Sequence, residues 1–142
     1  MSCRLDEVVY IAGPITNEPN YRAKFAAAEQ ALLINERVID VFNPAEIFRP
    51  LDDAFVDYES ILACCLNLVE RCSAIALLPG WHRSTGAKAE LKRYCESKEP
   101  RECVFFMLDM YPNPAAKGTY STIITRYDGF KAWQSEHDLD LL

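Results

Sequence analysis

Hydrophobic positions along the chain follow two rhythms, short apolar runs and stretches at helical spacing, and the two alternate. Val8-Val9-Tyr10-Ile11-Ala12 is a β-rich apolar run closed by Gly13-Pro14, which predicts a first strand ending in a turn. A polar loop follows over 15–20. Phe25, Ala28, Leu32 and Leu33 then recur on one helical face, predicting a helix over 21–35. Asn35-Glu36 reads as a turn, and Val38-Ile39-Asp40-Val41-Phe42 as a second strand ended by Asn43-Pro44. Two prolines and mixed polarity over 45–53 predict a loop with room for one helical turn. A second helix over 54–71 turns Ile61, Cys65, Leu68 and Val69 inward.

Ala74-Ile75-Ala76-Leu77-Leu78 is apolar throughout, as a strand buried on both faces would be. Pro79-Gly80 stops it, and Ser84 or Thr85 caps a third helix over 85–96. A fourth strand runs over 104–108. The order β-α-β-α-β-α-β predicts a three-layer α/β fold: a mainly parallel sheet of four or five strands with helices on both faces. The length suits one domain over 1–142, with a core over 8–108 and a C-terminal extension over 109–142. In that extension Tyr111-Pro112-Asn113-Pro114 reads as a loop. The 120–133 stretch has helical spacing (Ile123, Ile124, Tyr127, Phe130) interrupted by Gly129, and Asp138-Leu139-Asp140-Leu141-Leu142 reads as a frayed end.

Charge narrows the class of partner. Fifteen Lys and Arg against 21 Asp and Glu leave a net charge of -6, which argues against binding a nucleic acid polymer, since that affinity rests on clustered cations. The local trio Arg83, Lys88 and Lys92 is suited at most to one small anion. Six cysteines without a C-x-x-C pair, and only two histidines, lack metal-site spacing. Cys64, Cys65, Cys72 and Cys103 sit in apolar contexts. The expectation is reduced thiols in a cytoplasmic protein, with no metal and no cofactor. Asp6 and Glu7 within the first ten residues and the lack of an apolar h-region predict no signal peptide, and no run approaches the ~20 apolar residues of a membrane span.

Parallel sheets bind ligands beyond the carboxyl ends of their strands, which gathers 13–20, 43–46 and 80–90 on one rim. Within the last segment a strand, a small-residue loop and a helix N-terminus succeed one another, an arrangement suited to an anion or a sugar hydroxyl. Glu90 lies one to two turns into that helix, where the positive helix end is expected to keep it ionised.

Three motifs occur in order: Tyr10-Ile11-Ala12-Gly13-Pro14, then Asn43-Pro44-Ala45-Glu46, then Leu77-Leu78-Pro79-Gly80-Trp81 with Ser84-x-Gly86-x-x-x-Glu90. Together they resemble the nucleoside 2-deoxyribosyltransferase-like superfamily, most of all a short branch often found in phages. That superfamily also holds the deoxynucleoside 5′-monophosphate N-glycosidases. The likeness covers about 8–108 and implies a Rossmann- or flavodoxin-like fold acting on a nucleoside, a nucleotide or a related small molecule. It makes Glu90 the nucleophile that attacks C1′ of the sugar and Tyr10 a site tyrosine. It also makes Gly13, Pro14, Ile15 and Thr16 the loop touching the sugar or its 5′-phosphate, and Ser84 and Gly86 the helix-start residues holding the ligand. It further implies a homodimer or higher homo-oligomer. The chain departs from the family pattern at Cys65 and Ser73, where many members carry aspartates, the first of them implicated in handling the leaving base.

Each residue also has a plainer reading. Glu90 is either the nucleophile or a surface glutamate paired with Arg93. Trp81 either stacks on a base or plugs a subunit contact, and His82 is either a proton donor or an exposed loop histidine. Cys65 is either helix packing or a reactive thiol. Asn43 and Glu46 are either ligand contacts or turn chemistry. Three functions compete: N-glycosidic cleavage or 2-deoxyribosyl transfer, capture of a nucleotide-derived molecule without turnover, and a structural oligomer with a vestigial pocket.

Overall fold

In the computed structural model of the chain, residues 7–34, 38–47 and 58–137 are described. The expected turn at Asn35-Glu36, most of the 45–53 loop, the start of the second helix, Cys3 and the closing 138–142 segment lie outside these residues. The elements are β1 (Glu7–Ala12), α1 (Tyr21–Ile34), β2 (Val38–Phe42), α2 (Pro44–Ile47) and α3 (Tyr58–Val69). They continue as β3 (Ala74–Leu77), α4 (Thr85–Glu96), β4 (Val104–Pro112), β5 (Tyr120–Asp128) and α5 (Phe130–His137). Short 3-10 turns precede α4 and β4, at Trp81–Arg83 and Pro100–Glu102.

The five strands form one sheet in the order β2-β1-β3-β4-β5, the first four parallel and β5 antiparallel to β4. Strand residues alternate between two apolar layers because successive side chains point to opposite faces. Tyr10, Ala12, Ile75, Leu77 and Phe105 meet Cys65 and Val69 of α3, Leu91 and Tyr94 of α4, and Trp133 of α5. Val9, Ile11, Ala74, Ala76, Phe106 and Leu108 meet Phe25, Ala28 and Leu32 of α1 and Ala45 of α2. This is the three-layer α/β fold that the apolar pattern predicts. Tyr94 pins the N-terminal ends of two strands together. Its hydroxyl donates to Ser73 O at 2.6 Å and accepts from Val104 N at 2.9 Å.

The expected helix over 120–133 does not form. Its first nine residues are β5, paired residue for residue with Val104–Pro112, so β4 also outruns the expected 104–108. Thr122-Ile123-Ile124-Thr125 is a β-branched run, which loses rotamer freedom in a helix and packs well on a sheet. Beside it, β4 offered an unpaired edge. Gly129 then turns the chain with φ 95°, donates its N–H to Cys103 O at 2.6 Å, and α5 follows. Two smaller expectations also fail. Leu33 and Cys64 are exposed, each on the outward side of its helix. Among the described residues no helix is long and apolar enough to cross a membrane.

Candidate active site

At the carboxyl ends of β1 and β3 a cavity of about 850 Å³ opens between α1, α3 and the start of α4. That is the volume range of small-molecule sites. Three local devices shape it. Gly13 follows β1 where the chain passes Leu78, and a Cβ there would lie 2.8 Å from Leu78 Cβ and Cδ1. Gly80 turns the chain out of β3 with φ 84°, a left-handed conformation that glycine adopts without strain. Ser84 leaves the 3-10 turn in extended conformation, and its Oγ accepts the Ala87 N–H at 3.1 Å, so it is the N-cap of α4.

Gly13, Pro14, Ile15, Thr16, Ser84, Gly86 and Glu90 all line this cavity, so Gly13 and Glu90 stand at the same end of the sheet. Tyr10 is fully buried beneath it, and its hydroxyl donates to Glu90 Oε2 at 2.7 Å. Two of the expected ligand residues stand elsewhere. Asn43 is buried and turned into the chain: its Oδ1 accepts the Ala45 N–H at 3.0 Å and its Nδ2 donates to Glu29 Oε1 at 2.9 Å. It caps the short α2, as asparagine side chains do at helix starts. Trp81 is buried in the α5 layer with its ring 6.1 Å from that of Trp133, and does not line the cavity. A large indole gains more from the aromatic layer below the loop than from the solvent-facing rim.

Glu90 is a buried carboxyl, 8% exposed, and not a surface glutamate. Arg93, its alternative partner, bonds Glu70 at 3.2 Å instead. Burial pushes the Glu90 carboxyl up to about 7, against the lowering effect of hydrogen bonds from Tyr10 and the Cys65 thiol. This corrects the expectation of a carboxylate kept ionised by the helix end. Glu90 is the sixth residue of α4, and the dipole field fades beyond the first turn. Burial also drives the Tyr10 phenol far above its ordinary range, with the Glu90 charge adding to it, so the phenol stays protonated and donates. The Cys65 thiol is pushed up to about 12, chiefly by burial, and stays neutral.

Cys65 is therefore both helix packing and a wall of the cavity, in contact with the carboxyl. Outside the segments expected on the rim, Tyr21, Phe25, Ile61 and Leu62 also form the cavity wall. The inward spacing of Phe25 and Ile61 was the available signal for two of them. Of the expected cationic trio only Arg83 reaches the cavity; Lys88 and Lys92 do not. His82 is exposed in the loop and does not line it, and Glu46 is exposed on α2. Among the described residues no group of three or more His, Cys, Asp or Glu is placed to hold a metal.

Compared with known proteins, residues 7–98 match the model of a family described as Domain of unknown function (DUF4406), and the chain belongs to that family. The matched span includes every residue of the cavity wall. No curated protein matches the chain.

Proposed function

We propose that this DUF4406 member breaks the N-glycosidic bond of a nucleoside or nucleotide, with Glu90 as the attacking carboxylate. One observation carries this reading: a buried carboxyl in the wall of a small-molecule cavity, held at 2.7 Å by a phenol. Tyr10 holds the carboxyl through Oε2. In the proposed step a carboxylate lone pair forms a bond to C1′ as the C1′–N bond breaks. The base departs with the electron pair and takes a proton from water. Water then attacks C1′ of the ester-linked sugar, releasing the sugar and restoring the carboxylate; a second base in place of water gives transfer. A carboxylate attacks only when ionised, so base release is expected to rise with pH through about 7. Cysteines without metal-type spacing support a reducing, cytoplasmic setting for this reaction.

A specific observation favours a second reading, capture without turnover. Among the described residues Glu90 is the only acid lining the cavity. Two-carboxylate glycoside chemistry needs an acid beside the nucleophile, and here a neutral thiol, Cys65, stands at the position where the resembled superfamily often has an aspartate.

Incubation with a panel of nucleosides and nucleotides, read by chromatography for free base and by calorimetry for binding, separates the two. For an enzyme, Glu90→Gln keeps shape and hydrogen bonding but removes the attacking charge. Base release should fall by about a thousand-fold or more while binding persists. Binding by the wild type with no base released establishes capture. Neither binding nor release across the panel overturns both readings.

A further inference from the structure

At the end of the sheet away from the cavity, where α4 gives way to β4, two cysteines meet. Cys95 lies in the last turn of α4, and Cys103 stands immediately before Val104, the first residue of β4. Both pack into the same apolar layer, Cys103 at 1% exposure and Cys95 half-buried at its border. Their neighbours fasten the two segments together, since the Tyr94 hydroxyl accepts the Val104 N–H at 2.9 Å. The two thiols are hydrogen-bonded to each other, Cys95 donating to Cys103 Sγ. Cys103 in turn donates to Glu99 O at 3.6 Å. The other described cysteines stand apart: Cys64 is exposed on α3, Cys65 faces Glu90, and Cys72 donates to Leu68 O at 3.4 Å.

A cation completes the arrangement. Lys98 is bent back over the Tyr94 ring, 4.6 Å from its centroid, and donates to Glu70 O at 3.1 Å. Those two contacts keep its ammonium beside the thiols. The hydrogen bond from Cys95, with the Lys98 charge behind it, pulls the Cys103 thiol down against burial and the Glu102 charge. The same bond, burial and the Glu96 charge drive Cys95 far above the ordinary thiol range. The pair thus gives up one proton readily and shares the other between two sulfurs. A shared proton places the negative charge on half-buried Cys95 as well as on Cys103. Thiolates, not thiols, react, and reactive ones sit in electropositive and partly open surroundings such as this.

We propose that Cys95 and Cys103 are a reversible oxidation site, closing to an intramolecular disulfide when the chain meets hydrogen peroxide. Cys95 Sγ, the more open of the two sulfurs, attacks one peroxide oxygen with its thiolate electron pair. The O–O bond breaks, and the departing hydroxide takes up a proton to become water. Cys103 Sγ then attacks the sulfur of the Cys95 sulfenic acid. The S–O bond breaks as the S–S bond forms, and the oxygen leaves as a second water with the Cys103 proton. Two thiols lose two electrons, and the peroxide gains them. The bridge ties the foot of α4 to the foot of β4 across the Pro100–Glu102 turn. A thiol reductant reverses it, as suits a transient disulfide in a reducing compartment. It does not depend on the reaction proposed above.

The test takes the whole chain, freshly reduced, through a time course in dilute hydrogen peroxide, then blocks free thiols and maps tryptic peptides by mass. Trypsin cuts after Arg93, Lys98, Arg101 and Lys117, so the bridge reads as peptide 94–98 joined to 102–117, two hydrogens lighter than the free pair. This species should form about ten-fold or more faster than any oxidised form of the exposed Cys64, and dithiothreitol should remove it. Lys98→Met removes the ammonium while keeping the length of the side chain, and should slow bridging about three-fold or more. A wild type in which Cys64 is oxidised while Cys95 and Cys103 stay free overturns the site. So does peroxide treatment that joins either cysteine to a different one. A Lys98→Met variant that bridges at the wild-type rate overturns activation by the cation.

Discussion

The half of the molecule around the cavity and the half formed by β4, β5 and α5 are built by opposite rules. Around the cavity the chain uses small residues, Gly13, Ala45, Gly80, Gly86 and Ala87, and places a carboxyl among them. In the C-terminal half it stacks rings: Trp133 lies on Phe105 with centroids 4.5 Å apart and planes 10° from parallel, with Phe130, Trp81 and His137 against it. The Trp133 Nε1–H reaches Met107 Sδ at 3.2 Å, so even the indole's polar atom is accounted for. The difference teaches how a small domain divides its tasks. An open cavity and a buried carboxyl both cost stability, and the aromatic layer on the same face of the sheet offsets them.

The comparison breaks most visibly at Trp133. Trp133→Ala should lower the unfolding free energy by about 3–5 kcal/mol in a denaturant titration, because it empties the centre of the ring stack. Ligand binding by the fraction still folded at low temperature should be unchanged. Lost binding by a folded variant would show that the two halves are one unit.

A somewhat smaller effect comes from the cavity side. The Glu90 carboxyl titrates near 7 when folded against an ordinary 4.5, so the folded state holds its proton more tightly than the unfolded chain. Its contribution to stability is whole below 4.5 and is lost as pH rises through about 7, an amount of about 3 kcal/mol. Denaturant melts at pH 5 and pH 8 should show this loss in the wild type and not in Glu90→Gln. An identical pH dependence in both proteins would mean that Glu90 is ionised in the fold.

The smallest effect sharpens the comparison. Ser84→Ala removes the N-cap of α4 and should cost about 1 kcal/mol of stability. Ser84 also lines the cavity, so ligand affinity should fall in the same variant. An affinity unchanged by the substitution would confine Ser84 to the cap.

How far the chain could be read depended on whether a residue's partners were local. β1, β2, β3 and α4 follow from apolar runs, glycine–proline stops and a serine cap, all of which act within a few residues. The gathering of Gly13, Ser84, Gly86 and Glu90 at one end of the sheet follows from strand order alone. The 120–128 stretch did not yield, because its spacing of Ile123, Ile124 and Tyr127 suits a helix face as well as a strand. The vacant side of β4 is what selects the strand. Trp81 was misplaced for the same reason, since Trp133, which holds it, is far away in sequence; for Asn43 the structure selects the local reading, turn chemistry, with its Oδ1 accepting the Ala45 N–H.

By itself, then, the sequence determined which segments become strands and helices up to α4, and which end of the sheet carries the cavity. Periodicity and turn chemistry are properties of neighbouring residues. Only the tertiary structure decided the protonation of Glu90. That depends on burial against Tyr10, eighty positions earlier, and on the Cys65 thiol, and no local pattern encodes it. A dipole argument from the helix alone gave an ionised carboxylate. Removing water from around it raises the carboxyl to about 7, because in a buried site the cost of desolvating a charge outweighs a field that has faded by the second turn.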